Sequence, residues 1–370
     1  MPSIPVRLED VRVLLLTWHG TALLPVLRSL GPEVSRIVVL HGLPNDVVAK
    51  SVYARPFIRF AAEISDEALC EEIDRIAGLF GCSVLFPADD RAVEFVTGNA
   101  QALSRFVTLA PNPAPAMREK IRCKVAFTQL LSELGLDHPR SAQGDSPRKL
   151  HDDALVRLRP PWMVKASSRS GGQGIFRCET PAELTAACRL LEAEGAQFLI
   201  QEFVPGPDAD CSFLAVNGTV LAATTQHSVT KGRDYAPATE IRLHPHPELQ
   251  AMAERLAAAL GWNGLAHLDA VRDERDGSYK LLELNPRCWG SLLASTAAGV
   301  NFPKLLVAAA MGWRVEQPQM RPGRFYMGGL GLRRALGRDG PRWRISETDV
   351  PYFLEDPWPE VQSWWQTRGR

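Results

Sequence analysis

Residues 281–287 read Leu281-Leu282-Glu283-Leu284-Asn285-Pro286-Arg287. As a strand, this stretch projects Glu283, Asn285 and Arg287 to one face and Leu282 and Leu284 to the other. Fourteen residues upstream, Asp269 sits in a second apolar run, His267-Leu268-Asp269-Ala270-Val271. Asp276-Gly277 between the two runs is a turn signal. An antiparallel pair closed there brings Asp269 close to Glu283. Two carboxylates and an amide carbonyl are hard oxygen ligands, suited to Mg²⁺ that bridges phosphates. A solvated sheet face is the plain alternative for these residues alone.

Two further stretches lie upstream. Lys165 ends an apolar run and opens Ala166-Ser167-Ser168-Arg169-Ser170-Gly171-Gly172-Gln173-Gly174. Small residues let backbone N–H groups approach a phosphate, and the lysine adds a point charge. No Gly-Lys-Ser/Thr follows, so this is not a Walker A loop. Gln201-Glu202-Phe203-Val204-Pro205-Gly206 is a strand end that can offer backbone groups to an adenine edge.

Around these signals the chain divides by texture. Val11–Thr17, Arg36–Leu40 and Ser83–Phe86 are apolar runs with helical patterns between them, the longest over Asp66–Phe80. That alternation predicts an open parallel sheet. Pro111, Pro113 and Pro115 mark a boundary, and a helix is expected over 116–134, stopped by Gly135. Residues 143–153 read as a polar loop. Strands are expected at 162–165, 197–203, 211–216, 219–225, 264–273 and 278–284, with Asn217-Gly218 as a hairpin turn. Helices are expected at 248–260 and 301–311. The last 58 residues hold five of the nine tryptophans: Trp313, Trp343, Trp358, Trp364 and Trp365. Packing against the chain's own core is their plain reading; a dimer interface or an active-site cap is the alternative.

Composition bounds the function. The 370 residues carry 42 basic and 42 acidic side chains, net zero. Such a chain has no global field to gather nucleic acid or an anionic membrane. No run of 18 apolar residues exists. The first ten residues lack the basic and apolar pattern of a secretory leader. The seven cysteines include no Cys-x-x-Cys pair. Reduced thiols in a cytoplasmic protein are therefore expected. Only eight residues are lysine, which gives weight to a lysine standing where a motif needs one.

Taken in order, these stretches resemble the ATP-grasp superfamily over about residues 116–306, and its carbamoyl-phosphate-synthetase-like and carboxylate–amine ligases in particular. The resemblance implies an α/β and α+β protein, an ATP-grasp fold behind a Rossmann-like domain. The division expected is 1–115, the Rossmann-like domain; 116–203, linker helix and lid; 204–315, the large domain with the metal site; and 316–370, the Trp-rich segment. It implies that Lys124 and Lys165 hold phosphates, with Ser170, Gly171, Gly172 and Gly174 in the lid. Glu202, Phe203 and Val204 would border the adenine. Asp208, with Asp210 as the alternative, would contact the ribose. Asp269, Glu283 and Asn285 would hold Mg²⁺ as two ions, with Mn²⁺ as a substitute, and Arg287 would face the transferring phosphate beside Lys165. Cys123 and Ala166 depart from the family's usual Asp and Pro at those places.

The implied activity activates a small carboxylate with ATP as an acylphosphate and joins it to an amine, releasing ADP and phosphate. Lys231 and Arg233 are candidates for binding the substrate carboxylate, and His267 stands beside the metal residues. The loops 17–21 and 87–91 are placed to contribute to substrate choice. A phosphotransferase on the same core, or a non-catalytic ATP-binding module, are the other classes. A homodimer fits the expectation for partners.

Overall fold

The computed structural model describes residues 7–19, 22–43, 47–61, 63–121, 123–142, 144, 146–167, 169, 173–229, 238–315, 317–327, 336–337 and 343–368. Its first sheet holds β1 (Arg12–Thr17), β2 (Arg36–His41), β3 (Ala54–Arg59), β4 (Val84–Pro87) and β5 (Thr108–Leu109). All pairings are parallel, in the order β3-β2-β1-β4-β5. Helices α1 (Leu23–Leu30), α2 (Asp66–Phe80), α3 (Asp90–Gly98) and α4 (Ala100–Leu103) accompany it. Strands β1, β2 and β4 read as continuous apolar runs because both faces are covered. Val13, Leu15, Val39 and Phe86 pack with α1, while Leu14, Leu16, Leu40 and Leu85 pack with α2 and α3. The sequence pattern missed β3, whose Pro56 is tolerated at a sheet edge.

Next come α5 (Pro115–Ile121), α6 (Lys124–Glu133), α7 (Pro147–Arg157), β6 (Trp162–Ala166), β7 (Ile175–Cys178), α8 (Pro181–Ala193) and β8 (Phe198–Glu202). The three strands form an antiparallel sheet ordered β7-β6-β8. Helices α7 and α8 cover it through Ala154, Leu184, Ala187 and Leu191. Two expectations are corrected here. The polar loop over 143–153 gives way to α7 from Pro147 onward. Ser146 caps its start by accepting from the Lys149 N–H, and Pro147 fits the first turn. The single helix over 116–134 is two helices, because Cys123 is extended and serves as the cap of α6.

The third sheet contains β9 (Asp208–Val216), β10 (Thr219–Ser228), β11 (Glu240–Leu243), β12 (Gly264–Arg272), β13 (Tyr279–Asn285) and β14 (Gly323–Tyr326), with α9 (Pro247–Leu260), α10 (Leu292–Ala297) and α11 (Phe302–Ala310) around it. It is antiparallel, ordered β13-β12-β9-β10-β11-β14. The β9–β10 turn is the expected one: Asn217 and Gly218 take φ of 50° and 78°. One face packs on α6 and α9 through Cys211, Phe213, Leu268, Leu281 and Leu284. Helix α6 therefore belongs to this core and not to the three-stranded sheet, and β14 extends the sheet beyond the expected limit at 315. Both depart from the expected grouping, because Phe127, Leu130 and Leu131 find their apolar partners on β13 and α9.

The tail packs back onto the first sheet. After helix Val350–Glu355, Asp356 is fully buried and accepts from Arg28 Nε (3.3 Å), Ser51 Oγ (2.9 Å) and Val52 N (2.8 Å). Trp343 is buried, whereas Trp358, Trp364 and Trp365 on the final helix, Trp358–Arg368, are exposed. Among the described residues, no helix is long and apolar enough to cross a membrane. Six of the seven cysteines are buried, and Cys123 is half-buried.

Candidate active site

The face of the six-stranded sheet opposite α9 carries the polar residues. Strands β12 and β13 pair so that Asp269 stands directly across from Glu283, and His267 across from Asn285. A bulge then shifts the register, pairing Ala270 with Leu281. The bulge corrects one expectation: Leu281, not Leu282, joins Leu284 in the core. It also leaves Glu283 and Asn285 facing Asp269. Asn285 Nδ2 donates to Asp269 Oδ2 (2.9 Å) and to Glu283 Oε1 (3.1 Å), tying the three side chains together.

Lys124 completes this group. The break between α5 and α6 puts it at the first turn of α6, where its N–H donates to Ser167 O (3.1 Å). Its Nζ lies 3.1 Å from Glu283 Oε2 and donates to Arg169 O (2.8 Å). Burial opposes ionisation of Glu283, but the Lys124 ammonium and the Asn285 hydrogen bond outweigh it and bring the carboxyl down to about 2. Asp269 moves the other way: burial, then the Glu283 charge, raises it well above the usual carboxylate range. Lys165, at the end of β6, is lowered to about 8 by burial and by the Lys124 charge, against the pull of Glu283 and Asp208. Two lysines thus converge on one carboxylate.

Arg287 reaches across to the first sheet. Its Nε donates to Asp90 Oδ2 (2.7 Å), Nη1 to Cys288 O (2.9 Å) and Nη2 to Asn285 Oδ1 (3.4 Å). Sequence reasoning placed the 87–91 loop near the site but did not single out Asp90. The cleft between the sheets measures about 520 Å³ and is lined by His19, Asp90, Arg91, Lys124, Glu283 and Asn285 among others.

Three side chains next to Asp269 form a second polar group. Asp210 pairs with Asp269 across β9 and β12. His267 Nε2 is 3.2 Å from Asp269 Oδ1 and 3.9 Å from Asp210 Oδ1; its Nδ1 meets Ser212 Oγ at 2.8 Å. The imidazole stacks on Trp289 with centroids 5.4 Å apart. Gln226 Nε2 donates to Asp210 Oδ2 (3.0 Å) and to Ser291 Oγ (2.9 Å). Burial pushes Asp210 up to about 7, helped by the Asp269 charge. His267 is therefore packed and also faces the carboxylates. Asp210 belongs with this group, so its reading as a ribose contact is corrected. The period-two run Asp208-Ala209-Asp210-Cys211-Ser212 carried the signal, since alternate residues share a face.

The remaining candidates lie farther along. Gly174 has φ of 69°, and a Cβ there would stand 2.7 Å from Ala166 Cβ. Its carbonyl accepts from the Ala166 N–H (2.8 Å), closing the loop after β6. Glu202 Oε1 accepts from Arg275 Nη1 (3.0 Å), and Arg275 is in turn held by Asp273. The Phe203 N–H donates to Pro161 O (2.9 Å). Val204 is buried and Asp208 exposed. Ser170, Gly171, Gly172, Lys231 and Arg233 lie outside the described residues.

Known proteins resemble this chain in sequence and fold. Residues 194–326 match the family model described as ATP-grasp in the biosynthetic pathway with Ter operon. In solved structures the fold recurs in a biotin carboxylase from Campylobacter jejuni (TM-score 0.67, 15% identity, 85% of this chain and 75% of that one). It recurs again in an L-amino acid ligase from Bacillus licheniformis (TM-score 0.62, 18% identity, 84% of this chain and 75% of that one). The chain has the ATP-grasp fold. Among curated relatives, a probable alpha-L-glutamate ligase of Xanthomonas campestris pv. campestris is 29% identical over 172 residues. That match covers 45% of this chain and 58% of the relative, so the ATP-grasp chain spans under two thirds of that protein's length.

Proposed function

We propose that this chain is an ATP-dependent carboxylate–amine ligase. It activates a small carboxylate as an acylphosphate, passes the acyl group to an amine, and releases ADP and phosphate. One observation carries the reading: Asp269, Glu283 and Asn285 are tied into one group, with Lys124 on Glu283 and Arg287 held beside it, at a cleft large enough for small substrates. The relatives' name, glutamate ligase, and the neighbour's, L-amino acid ligase, support it.

The donor set fits a divalent cation. Two carboxylates face each other across paired strands, and only one ionises readily while no cation shares them. Asp269, Glu283 and the Asn285 carbonyl oxygen would hold Mg²⁺, as one or two ions. Held there, the cation would supply positive charge against the phosphates of ATP. Lys124, Lys165 and Arg287 offset the remaining phosphate charge. Arg287, fixed by Asp90, also orients the attacking carboxylate. A carboxylate oxygen attacks the γ-phosphorus and the bond to the ADP oxygen breaks. The amine then attacks the acyl carbon, and phosphate leaves with the former carboxylate oxygen. The small residues Ser170, Gly171, Gly172 and Gly174 that follow β6 in the sequence suit a phosphate-binding loop that keeps water from the acylphosphate. Val204 and the Phe203 carbonyl border the adenine, Glu202 stands behind them on Arg275, and Asp208 meets the ribose. Lys231 and Arg233 carry the charge to bind a substrate carboxylate. The neutral chain fits a cytoplasmic enzyme acting on small metabolites.

The test is ADP release with Mg-ATP across pairs of carboxylates and amines. Wild-type turnover should require one of each. Glu283→Gln should lose at least a hundredfold while remaining folded; near-wild-type turnover in that variant removes the cation assignment.

A further inference from the structure

The order β3-β2-β1-β4-β5 reverses direction between β1 and β4. A reversal of this kind opens a crevice at the carboxyl ends of the two strands, where open α/β sheets take ligands. Here it opens onto the cleft of the candidate active site: His19 after β1, and Asp90 and Arg91 after β4, line the same space as Lys124, Glu283 and Asn285. An anion in such a crevice usually meets the helix N-terminus and the loop N–H groups. This protein has filled that position with its own carboxylate. Asp89 is buried; its Oδ2 accepts from Thr17 Oγ1 (2.7 Å), Trp18 N (2.6 Å) and His19 N (2.8 Å), and its Oδ1 from Ala92 N (2.9 Å). Burial favours the neutral form, yet these bonds hold the carboxyl below its ordinary range.

With those donors engaged, a ligand anion must be read by side chains. Three guanidinium groups line the cleft; Arg169 is held by Glu194 at 2.6 Å, and Arg91 and Arg118 are the other two. Arg91 lies over the Trp18 ring, 5.0 Å from its centroid. Arg118, from α5, is one-fifth exposed, and its ion pair with Glu94 spans 3.8 Å to a carboxylate that is 71% exposed. A contact that long and that open is worth little and yields readily to a ligand. Planar guanidinium forks suit a carboxylate. The cleft thus has a cation group at the reacting end, Lys124 with Arg287, and another on the first-sheet side.

We infer that Arg91 and Arg118 bind a second, unreacting carboxylate, so that the acid activated in this cleft is a dicarboxylic acid or an acidic amino acid. The inference rests on the ligase reading above. Its test uses hydroxylamine as the amine, which converts an acylphosphate to a hydroxamate that is read colorimetrically. The probes are chain-matched pairs of acids with two to six carbons, each pair one monocarboxylate and one dicarboxylate, with L-glutamate and L-aspartate added. The expected result is a preference of at least tenfold in kcat/KM for the two-carboxylate acid of a pair. That ratio should fall towards one in Arg91→Gln and in Arg118→Gln, and recover in part in Arg91→Lys. Hydroxamate formed equally from both members of every pair, or a preference that survives both glutamine variants, overturns the inference and leaves the ligase reading standing. No hydroxamate from any acid, with Mg-ATP bound, overturns the ligase reading and this inference with it.

Discussion

Replacing Lys124 with methionine should change the pH dependence of stability in one interval and leave it alone elsewhere. The ammonium lies 3.1 Å from Glu283 Oε2 and, together with hydrogen bonds to Asn285 and Asp269, brings that carboxyl from 4.5 to about 2 against burial. A carboxyl with a depressed folded value contributes stability that is fully present above its unfolded value, here 4.5, and is lost as pH falls through the folded value. A shift of about 2.5 units is worth about 3.4 kcal/mol at neutral pH, of which about 2 kcal/mol is lost by pH 3. Glu283 is 33% exposed, so solvent screening reduces that loss to about 1 kcal/mol. The assay is urea unfolding in EDTA at pH 7 and pH 3, for wild type and Lys124→Met. Other carboxylates titrate in both proteins and cancel in the difference. The wild type should lose more than the variant over this interval, by at most about 1 kcal/mol because the Asn285 and Asp269 hydrogen bonds remain. Parallel losses would show that Lys124 does not hold Glu283 ionised, and the electrostatic picture of the site would fall.

Other outcomes follow from the same geometry. Asp90→Asn replaces the charged acceptor of Arg287 Nε with a neutral amide at a partly exposed site; stability should change by less than about 1 kcal/mol, while steady-state ADP release falls about tenfold. Gly174→Val forces a branched side chain onto φ of 69° and into Ala166; it should cost about 1–3 kcal/mol in urea unfolding and weaken Mg-ATP binding by calorimetry. Asp356→Ala removes the fully buried carboxylate paired with the Arg28 guanidinium, which is 3% exposed and keeps Glu360, the main-chain oxygen of residue 356 and the Phe353 ring; a loss of about 3 kcal/mol is expected in the same unfolding assay, with little change in the KM for ATP.

Much of this was legible in the residues. The Asp269–Glu283 pairing followed from two apolar runs joined by Asp276-Gly277, because a hairpin leaves few registers that keep both apolar faces inward. The bulge that buries Leu281 was not legible, since an extra residue disturbs the period-two pattern only locally. The split between α5 and α6 was hidden because 116–134 keeps helical composition throughout; Cys123 is extended there by tertiary contact, with Lys124 bonded to Ser167. The Asp90–Arg287 pair joins residues 197 positions apart. Nothing local to either residue signals such a contact. Asp210 was legible as a face-mate of Asp208, but its partners His267 and Gln226 come from two other strands.

The most direct measurement follows the carboxylate oxygen. The acid that supports turnover is labelled with ¹⁸O in both carboxylate oxygens and incubated with Mg-ATP and its amine partner, and the released phosphate is analysed by mass spectrometry. Acylphosphate formation predicts one ¹⁸O in each phosphate released and one retained in the amide. Unlabelled phosphate, or an acid that keeps both labels in a phosphorylated product, would contradict the account.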